Sequence, residues 1–195
     1  MKKKQIFFCV VIILLSFWIN SCNRWVSVEE EIERLKSCPI DLCINHMKYV
    51  QIGNGRWSKD DSVSICQPSP GVVVYFDSTI CAPCAVQTLY KWQNVMDEST
   101  KNKNQNLKFY FIFSTQSNQI ENVKYFLNSI SFDYPIFLDT CNIFIRNNAH
   151  IPTDQLLHVF MIDKQQNVVF VGSPLNNEKL KNAYFRRLEQ ITIND

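Results

Sequence analysis

Two cysteines separated by two residues, in the motif Cys81-Ala82-Pro83-Cys84, are the side chains of this 195-residue sequence best suited to chemistry. Cysteines at this spacing can form a disulfide, exchange disulfides with another molecule or bind a metal ion. The β-branched and aromatic run at residues 72–76 predicts a buried strand before the motif, and the apolar spacing in residues 85–98 predicts a helix after it. This context favours thiol–disulfide chemistry, because a structural zinc site needs two further ligands and no second CxxC or histidine pair stands nearby.

The predicted helix start favours a reactive thiolate at Cys81. Unpaired backbone N–H groups and the helix dipole stabilise an anion at that position. Pro83 suits the first helical turn, because it lacks an N–H that would have no helical partner there. Cys84 lies one turn into the helix, where it can resolve a mixed disulfide by attacking Cys81. A structural disulfide or an inert pair is the alternative interpretation.

One segment of the sequence resembles the active-site segment of thioredoxin-fold proteins. It consists of a predicted buried strand, residues 76–84 and a predicted amphipathic helix. Phe160-Met161-Ile162-Asp163 with its hairpin resembles the corresponding part of TlpA-like envelope thiol–disulfide oxidoreductases, so that the resemblance covers residues 70–191. It implies an α/β thioredoxin-like fold, in which a central mixed sheet carries helices on both faces. It also implies that the Cys81 thiol attacks a substrate disulfide and that Cys84 resolves the mixed disulfide. The Cys81–Cys84 disulfide would then work without a cofactor or a metal.

Two positions depart from the thioredoxin pattern. Ile80 stands where that family usually has tryptophan, and Leu157 stands where it has a cis-proline opposite the disulfide. A cis peptide bond before a residue other than proline costs about 2.5–4 kcal/mol, so we expect Leu157 to be trans. Pro152 could take the place of the proline only if the loop is longer here. Leu157 and Pro152 are therefore candidates for contact with a substrate.

His158 and Asp77 are further candidates near the dithiol. His158 would tune the Cys81 thiolate or pack in the site wall, or it would complete a copper site with the two cysteines, as in copper chaperones of similar fold. Asp77 would move a proton to Cys84 or remain a solvated loop residue. Peroxiredoxin-type chemistry is disfavoured, because Val74 stands where that family has a proline.

The N-terminal segment predicts export. Lys2, Lys3 and Lys4 precede an apolar run of fourteen residues, from 6 to 19. This length suits a signal peptide and is short of the roughly 20 residues that a membrane-spanning helix needs. The run ends at Ile19-Asn20-Ser21-Cys22, which resembles the lipobox of bacterial lipoproteins and implies lipidation of Cys22. The alternative is an uncleaved anchor with an ordinary thiol at Cys22.

The predicted export leads to a location and to a class of partner. We expect a membrane-anchored lipoprotein of the bacterial cell envelope that faces the periplasm or the exterior. Its partners would be thiols or disulfides of envelope proteins and a membrane or envelope reductant. Residues 22–195 carry a net charge of −1, because all three signal-peptide charges are lysines, whereas the whole chain carries +2. Nucleic-acid binding is therefore disfavoured.

Turn-rich residues 67–71 divide the sequence. We predict a signal peptide at 1–21, an N-terminal extension with a tether at 22–69, and a thioredoxin-like domain at 70–195. The extension contains a predicted helix at 28–37 and a turn at 53–55. In the domain, strand-like and helix-like patterns alternate, as expected where helices connect parallel strands. They predict further strands at 107–113, 135–138, 156–162 and 168–171, and further helices at 120–130 and 180–191.

The remaining cysteines allow a structural bridge in an oxidising compartment. Cys38, Cys43 and Cys66 compete for such a bridge in the extension, so that one of them is left over. Cys141 is predicted to be free and buried or to pair with the cysteine left over.

Overall fold

The structure is a computed structural model that describes residues 27–53, 56–58, 69–80, 82–101, 107–130, 132 and 134–193. The predicted signal peptide, Cys22, Cys66, Cys81 and residues 54–55 of the predicted turn lie outside these ranges. Within them, one sheet has the strand order β2-β1-β5-β4-β3-β6-β7. Its strands are β1 (Lys48–Gly53), β2 (Arg56–Ser58), β3 (Gly71–Phe76), β4 (Lys108–Ser114), β5 (Ile136–Asp139), β6 (Val159–Ile162) and β7 (Val168–Val171).

The sheet is mixed, as predicted. Strands β3, β4 and β5 run parallel to one another, whereas β6 is antiparallel to β3 and β7 is antiparallel to β6. The described helices are α1 (residues 27–36), α2 (Ala82–Lys101), α3 (Ile120–Ser129), α4 (Ile143–Asn147) and α5 (Glu178–Ile193), with 3₁₀ turns at Ile44–His46, Ser117–Gln119 and Gln155–Leu157. No helix among the described residues is long and apolar enough to cross a membrane.

Strand β3 lies inside the sheet between β4 and β6 and is buried along its whole length. Successive side chains of a strand point to opposite faces. Val72, Val74 and Phe76 accordingly belong to the core on one face, and Val73 and Tyr75 belong to the core on the other. The run of apolar residues without polar alternation is what a strand covered on both faces requires.

Different parts of the chain cover the two faces of the sheet. The first face packs against α2, α3 and α5, through buried side chains such as Leu89, Trp92, Val123 and Tyr184. The second face packs against α1, α4 and residues 40–42, with Leu35, Ile40, Leu42 and Phe144 in its core. Helices on both faces confirm the predicted architecture.

Residues before 69 take part in this core. The predicted helix of the extension is present as α1, one residue earlier than predicted. The sequence did not predict β1, which pairs antiparallel with β5 and forms a hairpin with β2. The buried amide of Asn148 accepts from the Asp41 N–H and donates to the Asp41 carbonyl, both at 2.8 Å. These contacts attach the extension to the sheet.

The structure corrects one strand and two expectations about cysteines. The strand predicted at 156–162 begins at Val159, because the Asp154 carboxylate accepts the Leu156 N–H and residues 155–157 form a 3₁₀ turn. Cys38 and Cys43 are free, so that none of the three pairings expected in the extension forms. Cys141 is free but exposed rather than buried.

Gly71 begins β3 at a point where a side chain has no room. A Cβ atom there would overlap the Tyr110 ring and lie 2.7 Å from the carbonyl oxygen of Lys108, its partner residue in β4. Because that carbonyl is backbone, Gly71→Ala must displace β4. We expect a loss of about 1–3 kcal/mol in the free energy of unfolding, measured as a lower denaturant midpoint at unchanged slope. An unchanged midpoint would contradict this packing.

Candidate functional site

The turn between β3 and α2 is held by the side chain of Asp77. Its Oδ1 atom accepts the Thr79 backbone N–H at 2.8 Å and the Thr79 hydroxyl at 2.5 Å. The Ile80 N–H donates to the Asp77 carbonyl at 3.2 Å. Aspartate commonly closes turns in this way, because its short side chain reaches backbone N–H groups two residues further on. The residues immediately before the CxxC motif therefore have a defined conformation.

Cys84 is exposed, lies in the first turn of α2 and is disulfide-bonded. Pro83 beside it is also exposed and occupies the helical position that suits proline. The other described cysteines, Cys38, Cys43 and Cys141, are free, so none of them is the partner of Cys84. Cys81 and the side chain of Ala82 lie outside the description. The structure thus presents one sulfur of an accessible disulfide at the start of a helix.

A second turn contacts the first one. Gln155 begins the 3₁₀ turn at Gln155–Leu157, and its Nε2 donates to Asp77 Oδ2 at 3.1 Å and to the Thr79 hydroxyl at 2.7 Å. The turn before the dithiol is therefore bonded to a turn that lies 76 residues further along the chain. Nothing in the sequence marks Gln155, because an isolated glutamine carries no local signal.

His158 lies behind these two turns and is 3% exposed. Its Nε2 lies 2.9 Å from the Pro152 carbonyl, which can only accept, so that this nitrogen is the donor. Its Nδ1 faces Asp77 Oδ2 at 3.8 Å, which is too long for a hydrogen bond. The ring packs on Tyr75, with 5.0 Å between centroids. The structure thus brings together His158, Asp77 and Pro152 of the predicted candidates.

Several groups act on the Asp77 carboxylate. Burial alone would raise its pKa, but hydrogen bonds from Thr79 and Gln155, together with the nearby His158, hold the pKa below its ordinary value. Asp77 is therefore a carboxylate that accepts hydrogen bonds at neutral pH. Its transfer of a proton to Cys84 stays a prediction.

The loop between α4 and β6 presents a different residue from those predicted for substrate contact. Pro152 and Leu157 are buried, whereas Leu156 is 60% exposed. The peptide bonds of the described residues, those before Pro152 and Leu157 included, are all trans. Among the described residues, no group of three His, Cys, Asp or Glu side chains could hold a metal ion. The alternative copper site includes Cys81 and therefore extends beyond them.

Comparison with known proteins finds similarity only in structure. No protein-family profile and no curated protein matches the sequence. A thioredoxin-like protein from Porphyromonas gingivalis is 14% identical with a TM-score of 0.46, over 75% of this chain and 90% of that one. The thioredoxin domain of a thiol–disulfide oxidoreductase from Bacteroides vulgatus is 12% identical with a TM-score of 0.45, over 72% of this chain and 91% of that one. At these sequence identities and TM-scores, the similarity assigns no function to this chain.

The topology decides the class of fold. The elements follow one another in the order that the sequence resemblance implied. Strand β3 leads through the crossover helix α2 to the parallel strand β4, and the antiparallel strands β6 and β7 come later, before the final helix α5. The fold is thioredoxin-like. In this thioredoxin-like domain, Cys84 lies at the beginning of α2, the helix that follows β3, and the turn at Gln155–Leu157 lies just before β6.

We expect Asp77→Ala to lower the free energy of unfolding by about 1–3 kcal/mol at pH 7, because Thr79 and Gln155 lose a charged acceptor. The folded state lowers the pKa of Asp77, so this contribution is complete above the ordinary pKa near 4 and is lost as pH falls through the lower folded value. Denaturant unfolding of both proteins from pH 7 to pH 3 should show the difference shrinking in acid. A difference that stays constant with pH would contradict the assignment.

The free cysteines should differ in reactivity. Burial and the adjacent Asp41 raise the pKa of Cys43 to about 12, so at pH 8 only about one in 10,000 of these thiols is ionised. Cys38 and Cys141 are exposed. Iodoacetamide on the native protein should label Cys38 and Cys141 and spare Cys43, as read by peptide mass spectrometry. Unfolded protein is the control, in which all three should be labelled; native labelling of Cys43 would contradict its burial.

Proposed function

We propose that this protein is a lipid-anchored thiol–disulfide oxidoreductase of the bacterial cell envelope, which exchanges disulfides with other envelope proteins. The observation that carries the proposal is the exposed, disulfide-bonded Cys84 in the first turn of α2. Cys81 stands three residues earlier in the same motif and is the proposed partner of that disulfide. A disulfide that is open to solvent at the start of a helix is available for exchange, unlike a structural bridge in a core.

In the reducing direction, the Cys81 thiolate attacks one sulfur of a substrate disulfide. A new S–S bond joins Cys81 to the substrate, and the other substrate sulfur leaves as a thiolate that takes a proton from water. Cys84 then loses its proton and attacks Cys81, which gives the Cys81–Cys84 disulfide and releases the second substrate thiol. Two electrons pass from the protein to the substrate, and a dithiol reductant of the envelope must restore them.

The direction of exchange follows from the residues between the cysteines. Ala82 and Pro83 add neither a charge nor an imidazole that would stabilise the Cys81 thiolate strongly. Strong oxidants of this fold owe their potential to such stabilisation of the reduced form. The proposed role is therefore that of a reductant or an isomerase.

The proposed anchor would hold the domain close to the membrane. Four residues, 23–26, separate Cys22, the proposed lipidation site, from Ser27, the first described residue of α1. The five residue-to-residue steps from Cys22 to Ser27 reach at most about 18 Å even when fully extended. A lipid on Cys22 would therefore keep α1 and the sheet face that it covers near the lipid headgroups. The substrates would be proteins that reach this layer of the envelope.

The decisive assay is the reduction of insulin disulfides by residues 23–195 with dithiothreitol as the reductant. We expect turnover above background that disappears in Cys81→Ser, because the attacking thiolate is lost. Cys84→Ser should accumulate a mixed disulfide, because the resolving thiol is absent. Cys141→Ser, which removes an exposed free thiol elsewhere, is the matched control and should keep full activity.

Two results would count against parts of this proposal. Equal turnover in Cys81→Ser and the unmodified protein would exclude the motif as the reactive site. A reduction potential near about −120 mV, the strong-oxidant end of the range, would exclude the reducing direction.

A further inference from the structure

A cavity of about 280 Å³ lies at the end of the sheet opposite the CxxC motif. It is bounded by Pro70 before β3, by hairpin residues 163–165 between β6 and β7, and by one side of α5. Strand β3 begins beside Pro70 and leads away from it towards the motif, and its six residues span about 20 Å. The cavity, called here the Arg187 pocket, is therefore separate from the proposed reactive site.

The packing of α5 places Arg187 in this pocket. Tyr184, three residues before it, and Leu188, one residue after it, are buried in the core on the first face of the sheet. Helical residues three apart are neighbours on the helix surface, so that Arg187 stands at the border of the buried stripe. It is accordingly half-buried and lines the pocket with a side chain that the core supports on one side.

The Arg187 guanidinium has a donor without a partner. Its Nη1 donates to Gln190 Oε1 at 3.0 Å. Its Nε is buried and has no hydrogen-bond partner within the described part of the chain. The ion pairs found among the described residues do not include Arg187 either. A buried donor without a partner is costly, and more so in a charged group. A ligand with acceptor oxygens would satisfy this one.

The geometry of arginine defines the shape of that acceptor. Nε and Nη2 form one edge of the planar guanidinium, and two oxygens carried by a single atom match this edge, as in a carboxylate or a phosphate. Because Nε is buried, one of the two oxygens must enter the pocket. A terminal group can enter in this way more readily than a phosphodiester, whose chain continues on both sides of the phosphorus.

The charge of the pocket favours an ion with a single negative charge. Among its lining residues, Arg187 and Lys164 are positive and Asp163 is negative, which leaves one net positive charge. The Asp163 carboxylate accepts the backbone N–H groups of Gln165 and Asn167 at 2.9 and 2.8 Å, so that it serves the hairpin turn. A carboxylate carries one negative charge, whereas a phosphate monoester carries about 1.5 to 2 at pH 7. A carboxylate thus matches both the edge and the charge.

Apolar side chains form further walls of the pocket: those of Pro70, Val169 and Ile191. Small-ligand sites commonly combine such walls with a few polar groups that fix the orientation of the ligand. The volume lies just below the roughly 300–1,000 Å³ of pockets for drug-sized ligands. The ligand should therefore join its carboxylate to a small apolar group.

We propose that the Arg187 pocket binds a carboxylate attached to a small apolar group. A peptide that ends in an apolar residue and a free carboxylic acid of similar size both have this chemistry. Arg187 holds the two carboxylate oxygens through Nε and Nη2, Lys164 adds positive charge, and the apolar walls cover the attached group. The pocket uses neither cysteine of the CxxC motif, so that this inference is independent of the proposed oxidoreductase function.

Calorimetric titration of the full chain in detergent tests the proposal with N-acetyl-glycyl-leucine, its C-terminal amide and 4-methylpentanoate. The first two probes differ only at the carboxylate. We expect the Kd of the acid to be about tenfold lower than that of the amide, because the amide lacks the charge-assisted hydrogen bonds. If 4-methylpentanoate binds as tightly as the dipeptide, a free acid is a sufficient ligand; if the dipeptide binds more tightly, the ligand is a peptide C-terminus.

Two neighbouring arginines provide matched variants. Arg187→Gln removes the charge and the paired N–H groups and should raise the Kd of the acid about tenfold, to that of the amide. Arg187→Lys keeps the charge alone and should recover only part of the affinity. Arg186→Gln removes the same charge from the adjacent exposed position of α5 and should leave the Kd unchanged. The comparison of acid with amide on the unmodified protein does not depend on the folding of any variant.

Four results would overturn the inference. They are the absence of binding by the acid at millimolar concentration, equal affinity for acid and amide, equal losses in Arg186→Gln and Arg187→Gln, and tighter binding of inorganic phosphate or dimethyl phosphate than of the acid. Cys81→Ser should bind the acid as the unmodified protein does. A failure of the proposed dithiol chemistry is thereby distinguishable from a failure of this site.

Discussion

The burial of β3 on both faces is the constraint on which the rest of the structure depends. Its backbone groups pair with β4 on one side and β6 on the other, and all six of its residues are buried. A strand of this kind needs a layer of apolar side chains above it and another below it. Helices α2, α3 and α5 form one layer, and α1, α4 and residues 40–42 form the other. The chain leaves this buried strand at Asp77, in the turn that precedes the CxxC motif.

Side-chain hydrogen bonds hold the two turns of the site together. Asp77 closes its own turn through Thr79 and accepts from Gln155 in the second turn, while His158 packs behind both on Tyr75. A carboxylate with several donors is a stronger anchor than a neutral acceptor, because its hydrogen bonds are charge-assisted. One ionised group therefore takes part in both turns and in the contact between them. Other hydrogen bonds, within residues 154–158, occupy the backbone N–H groups of Leu156, Leu157 and His158.

Most elements of the fold were predictable, because each has a local pattern. The apolar runs of β3 and β4 and the helical spacing of α2, α3 and α5 are present in short windows of sequence. Strand β1 was not predicted, since Lys48–Gly53 mixes polar and apolar residues and is defined by its pairing with β5. The burial of Leu35, Ile40 and Leu42 on the second face of the sheet was also not predicted. It depends on which face of the sheet the other helices leave uncovered.

The sequence by itself determined the class of fold and the position of the CxxC motif in it, because both depend on residue types at short spacing: a buried strand, Cys-Ala-Pro-Cys and an amphipathic helix. Only the tertiary structure decided which residues surround the motif. Leu156 and Leu157 are the same residue type side by side in one 3₁₀ turn, yet Leu156 is exposed and Leu157 is buried. Gln155 gained its role from an Asp77 that is distant in sequence. Such contacts depend on how separate segments meet, which no local pattern encodes.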